Sequence, residues 1–135
     1  MAERLKSPPP QRDTKTPKLK TPPGATDTHF HLYGPGKRFP YHPDAPLLVE
    51  DSTLDDMLKL HNTLGIERGV IVHSVVQGNT YEYLLHALSR EPERLRGIAL
   101  PAPNITDREL EILTNTGVVG ARFAFRANPE INTDI

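Results

Sequence analysis

The sequence contains no cysteine and no long run of apolar residues. Without cysteine the chain can form neither disulfides nor thiolate metal sites, and such a sequence is typical of the reducing cytoplasm. No apolar stretch approaches the roughly 18 residues of a membrane span, and no signal-peptide core is present. We therefore expect a cytoplasmic protein with no membrane partner.

Apolar residues are scarce, at 36% of the chain, and most of the shortage falls in residues 1–24. This segment has six prolines and six Lys/Arg against two Asp/Glu, so it cannot bury enough surface to offset its chain entropy. We predict a disordered arm at 1–24, acting as an electrostatic tether or, in better agreement with its proline-diluted charges, as a solvated leader. Subtracting the arm's +4 from the total of −1 leaves −5 for a folded domain at 25–135, which argues against a nucleic-acid partner.

From residue 25 onward, short apolar runs alternate with amphipathic helical patterns. Ser52-Thr53 caps the first predicted helix, Asn79 or Thr80 opens the second, and Thr106 with Glu109 forms a capping box for the third. The four predicted strands are 25–32, 68–74, 95–100 and 118–125. Such alternation predicts a parallel sheet with right-handed crossovers.

An open doubly wound sheet and a (β/α)8 barrel both begin with this pattern. No GxGxxG or GxxxxGK[ST] follows any strand, so the nucleotide-binding signatures are absent. A long Gly/Pro-rich loop at 33–51 follows the first strand, and loops at strand C-termini build the active sites of barrels. Because a complete barrel needs about 250 residues, we predict an α/β fold that is the N-terminal half of a TIM barrel. It would be either a fragment or a half-barrel that forms a homo-oligomer.

Asp27, His29 and His31 alternate along the first predicted strand. Since alternate side chains of a strand point to opposite faces, we expect all three to face the barrel interior. Imidazoles two residues apart can converge on one ion or one substrate group, and neutral imidazole is both a common metal ligand and a base near pH 7. Their place before the long loop favours a functional site over exposed or core histidines.

The stretch Thr26-Asp27-Thr28-His29-Phe30-His31-Leu32-Tyr33-Gly34-Pro35 resembles the start of the amidohydrolase superfamily. More closely, it is similar to the branch that contains 2-pyrone-4,6-dicarboxylate lactonase and galactarolactone isomerase. Residues 65–74, 96–99 and 117–123 resemble the second, third and fourth strands of that branch. The similarity covers about residues 24–128, and the HxH pair is its only superfamily-wide motif.

The resemblance implies a hydrolase of a small carboxylated substrate, a lactone or similar cyclic ester, with lactone isomerase or decarboxylase as same-fold alternatives. It implies that His29 and His31 are catalytic and that they are the protein ligands of a divalent metal, Zn or Mn, if one is bound. Members of the branch often work without tightly bound metal, so a metal-independent site stays open. Ser74, with His73 as a second candidate, matches the substrate-binding position at the end of the second strand, and Arg122 matches the fourth-strand arginine that holds a substrate carboxylate. Arg126, four residues further on, could assist Arg122. A planar guanidinium suits a carboxylate, the alternative being a solvated arginine at a strand end.

The superfamily's later histidine and its general-base Asp would lie beyond Ile135. The resemblance therefore implies about half of an active site, and the alternative is a non-catalytic truncated product or half-barrel module. At the end of the second predicted strand, His73 alternates away from Ser74, so we expect Ser74 to face the interior. His61 and His86 lie within predicted helices and are expected to be packing or surface residues.

Overall fold

The computed structural model of the chain describes residues 4–124. In chain order the elements are β1 (Leu5–Lys6), β2 (Thr26–Phe30), β3 (Leu47–Leu48), α1 (Leu54–Leu64), β4 (Arg68–Val72), a 3₁₀ turn (Val75–Gln77), α2 (Glu82–Arg90), β5 (Leu95–Ala99), α3 (Asp107–Thr116) and β6 (Val118–Ala121). The main sheet is parallel and has the order β2-β4-β5-β6. Strands that follow one another in sequence are thus neighbours throughout, as in a barrel, whereas a doubly wound sheet reverses its order. The predicted alternation of four strands and three helices is confirmed.

The first and third helices begin and end where their capping residues predict. The hydroxyl of Thr53 accepts from the Asp56 amide, and the Asp56 carboxylate accepts in return from the Thr53 amide. Thr106 and Glu109 form the same reciprocal pair at α3. Both helices end at a glycine in the left-handed region, at φ 73° for Gly65 and φ 108° for Gly117, a conformation that disfavours other residues.

The second helix begins later than expected. Its N-cap is Tyr81, not Asn79 or Thr80, and no side chain caps it. The physical reason is the 3₁₀ turn before it, which Ser74 caps and to which the Thr80 hydroxyl is committed through a hydrogen bond to the Gln77 carbonyl.

The hydrophobic core lies between the sheet and the helices. All three helices and three of the strands contribute buried members: Phe30, Leu54, Ile71, Leu84, Leu88, Leu95 and Leu113. Glycines in the strands let the helices approach closely. A Cβ at Gly69 would lie 3.1 Å from Cε1 of His61 on α1, and a Cβ at Gly97 would lie 2.9 Å from Cδ1 of Leu88 on α2.

A bulge interrupts β2 and corrects the prediction that Asp27 shares a face with His29 and His31. Asp27 pairs with Gly69, and Phe30 pairs with Ile71. An advance of three residues along β2 therefore matches an advance of two residues along β4. One extra residue reverses the alternation on one side of a bulge. Asp27 and Phe30 consequently both meet His61 of α1, on the helix-covered face.

The N-terminal segment contacts the domain at several places, and near its end the Thr21 hydroxyl donates to the Gly65 carbonyl at 2.6 Å. β1 pairs in parallel with β3, and the Arg12 guanidinium donates to the Asp51 carbonyl at 2.8 Å and contacts the Asp56 carboxylate at 3.2 Å. Between Lys6 and Thr26 the structure describes no helix or strand. Disorder of residues 1–24 stays a prediction. None of the helices within residues 4–124 is long and apolar enough to cross a membrane.

Candidate active site

His31 lies just past β2, at the carboxyl edge of the sheet. Its Nδ1 is 2.7 Å from the carbonyl oxygen of Val72, at the end of β4. Because a carbonyl can only accept, Nδ1 carries the hydrogen and Nε2 of the neutral ring keeps a free lone pair. Burial lowers the pKa of His31; the bond to Val72 opposes this shift, and the charges of Arg122 and His29 reinforce it. His31 is therefore a neutral imidazole near pH 7 with Nε2 available.

His29 is exposed and lies beside His31. The two ring centroids are 5.2 Å apart with the planes at 78°, and the His29 amide donates to Asp27 Oδ1 at 3.2 Å. The structure thus brings the two predicted histidines together. No group of three His, Cys, Asp or Glu suited to a metal ion occurs within residues 4–124. A zinc ion takes four ligands, so the imidazole pair fits part of a metal site.

Arg122 follows β6 and points to the same edge. Its backbone amide donates to the Ala99 carbonyl at 2.7 Å, and its guanidinium Nη1 donates to the carbonyl of His73 at 3.2 Å. His31 and Arg122 are thus held on consecutive carbonyls of the chain, those of Val72 and His73. One of the five guanidinium N–H groups serves this contact, and the others remain suited to an anionic oxygen. Arg126, predicted to assist, lies outside the described residues.

Ser74 is buried directly after this carbonyl pair. Its hydroxyl accepts from the Val76 amide at 3.3 Å and lies 3.3 Å from the Tyr33 hydroxyl, which comes from the first loop. The strand has already ended at Val72, so the expected alternation between Ser74 and His73 does not apply. A substrate-binding role for Ser74 stays a prediction.

His73 is the residue that sequence reasoning set aside. Its side chain is 2% exposed, Nδ1 accepts from the Leu100 amide at 3.3 Å, and Nε2 is buried without a partner among the described residues. Burial lowers the pKa of His73 to about 4, with smaller contributions from the charges of Arg122 and His31. The ring is therefore neutral and packs against Tyr81, with its centroid 5.6 Å from that of the tyrosine. Its only sequence signal is a polar residue at the end of an apolar strand.

Comparison with known proteins gives consistent matches over most of this region. A family model described as Amidohydrolase matches residues 26–134. The 4-sulfomuconolactone hydrolase of Rhizobium radiobacter is 46% identical over 109 residues, which are 81% of this chain and 36% of that protein. The 2-pyrone-4,6-dicarboxylate hydrolase of Comamonas testosteroni is 34% identical over the same shares of both chains.

Solved structures show the same fold. The structure of a probable 2-pyrone-4,6-dicarboxylic acid hydrolase from Acinetobacter baumannii, with citric acid bound, superposes with a TM-score of 0.68 at 26% identity. The superposition covers 74% of this chain and 37% of that one, so the chain spans little more than a third of the proteins it matches. This confirms the half-barrel architecture and the resemblance read from the motifs. The family model matches most of the chain, and the chain belongs to the amidohydrolase family.

Proposed function

We propose that this chain supplies the first half of the active site of a hydrolase that opens a carboxylated lactone or similar cyclic ester. One observation carries the proposal: a neutral imidazole with a free Nε2 and a guanidinium are held on the adjacent carbonyls of Val72 and His73. The names of the relatives support it, because both sulfomuconolactone and pyrone dicarboxylate are anionic cyclic esters. The citric acid in the solved relative is likewise a carboxylate ligand.

Arg122 binds the substrate carboxylate and so fixes the orientation of the ring. A planar guanidinium can hold a carboxylate through two parallel hydrogen bonds, which sets direction as well as distance. This places the scissile carbonyl towards the neighbouring histidines. His31 presents a lone pair at Nε2, which suits a metal ion or a water hydrogen and does not suit a carbonyl oxygen. The exposed His29 ring is the one able to donate to that oxygen.

The metal question leaves two forms of this proposal. In one, His29 and His31 hold a divalent ion, Zn or Mn, with further ligands from outside residues 4–124; the bound ion would supply Lewis-acid polarisation of the carbonyl. In the other the two imidazoles act directly. Activation of water falls in both forms to the superfamily's Asp, which the resemblance places after Ile135. Dialysis against a chelator separates the forms, since only the first loses activity and regains it with Zn or Mn.

The test is an assay of the protein encoded by the complete reading frame that contains this chain. Its hydrolysis of 2-pyrone-4,6-dicarboxylate and of 4-sulfomuconolactone is measured. We expect ring opening that His31→Ala abolishes, and an increased KM in Arg122→Lys, because lysine cannot form the paired contact. Mass spectrometry distinguishes the reaction class: hydrolysis adds one water, isomerisation leaves the mass unchanged and decarboxylation removes carbon dioxide. Absence of hydrolysis of either lactone, or unchanged hydrolysis in His31→Ala, would contradict the proposal.

We also propose a partner and a cellular location for this protein. The partner is a small carboxylated molecule, with neither nucleic acid nor a membrane involved. Within residues 4–124, β2 and β6 are the two edges of the main sheet, and unpaired parallel edges favour association with a second copy. A cytoplasmic location is supported by the cysteine-free sequence and is tested by cell fractionation.

A further inference from the structure

A buried histidine on α1 is hydrogen-bonded to the strand that carries the HxH pair. His61 is 1% exposed, and its Nε2 lies 3.1 Å from Asp27 Oδ2. A carboxylate can only accept, so the Nε2 hydrogen of His61 donates to it. The other oxygen of the same carboxylate accepts from the His29 amide at 3.2 Å. Asp27 thus connects the helix to the backbone of the first predicted catalytic residue.

The position of the His61 ring is fixed by its neighbours on the helix-covered face. The Phe30 ring meets it edge-on, with centroids 5.1 Å apart and planes at 88°. A Cβ at Gly69 would lie 3.1 Å from His61 Cε1. Interiors are close-packed, so a ring confined in this way has little freedom to move. The imidazole therefore offers its donor at one place, which is where Asp27 reaches it.

The Asp27–His61 pair coincides with the bulge in β2. In an unbulged strand Asp27, His29 and His31 would all point into the barrel interior. The extra residue between Asp27 and Phe30 turns the carboxylate to the helix side instead, where it finds the buried donor.

We propose that His61 and Asp27 are positioning residues for the HxH pair. Their hydrogen bond holds the bulge, and the bulge fixes the backbone of His29 and hence the approach of its ring to that of His31. Without the bond, the N-terminal end of β2 is free to pair regularly with β4. Regular pairing would bring Asp27 into the interior beside His29. The proposal depends on the proposed function for its kinetic readout alone.

Two substitutions of His61 separate the hydrogen bond from simple packing. His61→Gln places an amide N–H at the same distance along the side chain, whereas His61→Met fills similar space without a donor. Tyr83→Phe is the matched control, because it removes a hydrogen bond at 3.0 Å to the Leu54 amide of the same helix without touching Asp27. If His61→Met does not fold, the part-buried Asp27→Ala removes the same bond from the strand side.

The first measurement is made on the ¹⁵N-labelled 135-residue chain. In His61→Met we expect the His29 amide to exchange with solvent about tenfold faster, the factor set by a hydrogen bond to a charged group. Asp27→Ala also removes the acceptor of that amide, so in this variant the ring signals of His29 and His31 are the readout. The ring signals of His29 and His31 should shift as well. His61→Gln and Tyr83→Phe should stay within about twofold of the original exchange rate. Unchanged His29 signals in both His61→Met and Asp27→Ala, or equal effects in Gln, Met and Phe variants, would overturn the proposal.

The second measurement is lactone hydrolysis by the protein that the complete reading frame encodes. His61→Met should lower kcat about tenfold and leave KM within about twofold, because Arg122 still binds the carboxylate; His61→Gln should restore most of kcat. An increase in KM with unchanged kcat would contradict a positioning role. Inactivity of the unsubstituted protein would refute the proposed function and leave the amide-exchange result to decide the positioning role. Activity combined with unaltered exchange would refute the positioning role alone.

Discussion

His73 should make the stability of the fold depend on pH in a predictable window. The side chain is buried, and its pKa is lowered from 6.5 to about 4, chiefly by that burial. Between these two pH values the unfolded chain binds a proton at His73 that the folded chain does not. The free energy of unfolding contributed by this residue is therefore complete above pH 6.5 and decreases as the pH falls towards 4.

The magnitude follows from the size of the shift. A displacement from 6.5 to about 4 corresponds to about 3 kcal/mol over the whole window. About 2 kcal/mol of this is lost by pH 5. Because a small domain has only about 5–15 kcal/mol of stability, acid should weaken the chain well before its carboxylates titrate.

The assay is urea denaturation of the chain and of His73→Asn at several pH values between 7 and 4.5. Asn retains a δ-position acceptor for the Leu100 amide, which His73 now satisfies at 3.3 Å, and it does not titrate. The variant should be less stable at pH 7, and its disadvantage should shrink by about 2 kcal/mol at pH 5. Other titrating groups, including His31 and His86, are common to both proteins and cancel in the difference. Parallel pH profiles for the two proteins would refute a buried neutral His73.

Three further predictions concern the fold. Gly69→Ala should destabilise the chain by about 1–3 kcal/mol in thermal denaturation, because its Cβ would lie 2.6 Å from Phe30 Cε1; an unchanged melting temperature would show that the core has room there. Thr106→Ala should cost about 1 kcal/mol in urea denaturation through loss of the capping box, while Thr106→Ser should cost much less. Equal losses in the two would contradict a capping role. The isolated chain should elute as a dimer or larger species in size-exclusion chromatography, since β2 and β6 are the edges of the sheet in the described part, residues 4–124; a monomer at every concentration would disprove this pairing.

Local chemistry explains the parts of the fold that were predictable. The reciprocal bonds of Thr53 with Asp56 and of Thr106 with Glu109 involve residues three apart, so the sequence contains both partners. Gly65 and Gly117 end their helices for equally local reasons. The carboxyl ends of parallel strands lie at one edge, which is why His31 and Arg122 could be expected near each other.

Contacts between distant residues explain what was missed. The bulge in β2 depends on a hydrogen bond between Asp27 and His61, which are thirty-four residues apart. The alternation of residues along the strand does not predict this bond. The late start of α2 depends on a 3₁₀ turn that recruits Thr80. The pairing of Leu5–Lys6 with Leu47–Leu48 joins two short segments with no strand pattern of their own. In the first and third cases tertiary contacts overrode local propensity. The 3₁₀ turn is instead a local competitor of the helix start, since Thr80 and Gln77 are only three residues apart.

The most direct test of the account is a titration of the ¹⁵N-labelled chain with 2-pyrone-4,6-dicarboxylate, followed by NMR. We expect shifts in the ring signals of His31 and in the guanidinium signal of Arg122, and loss of the His31 shift in Arg122→Lys. Shifts that spare both residues, or that persist unchanged in Arg122→Lys, would contradict a carboxylate site at this edge of the sheet.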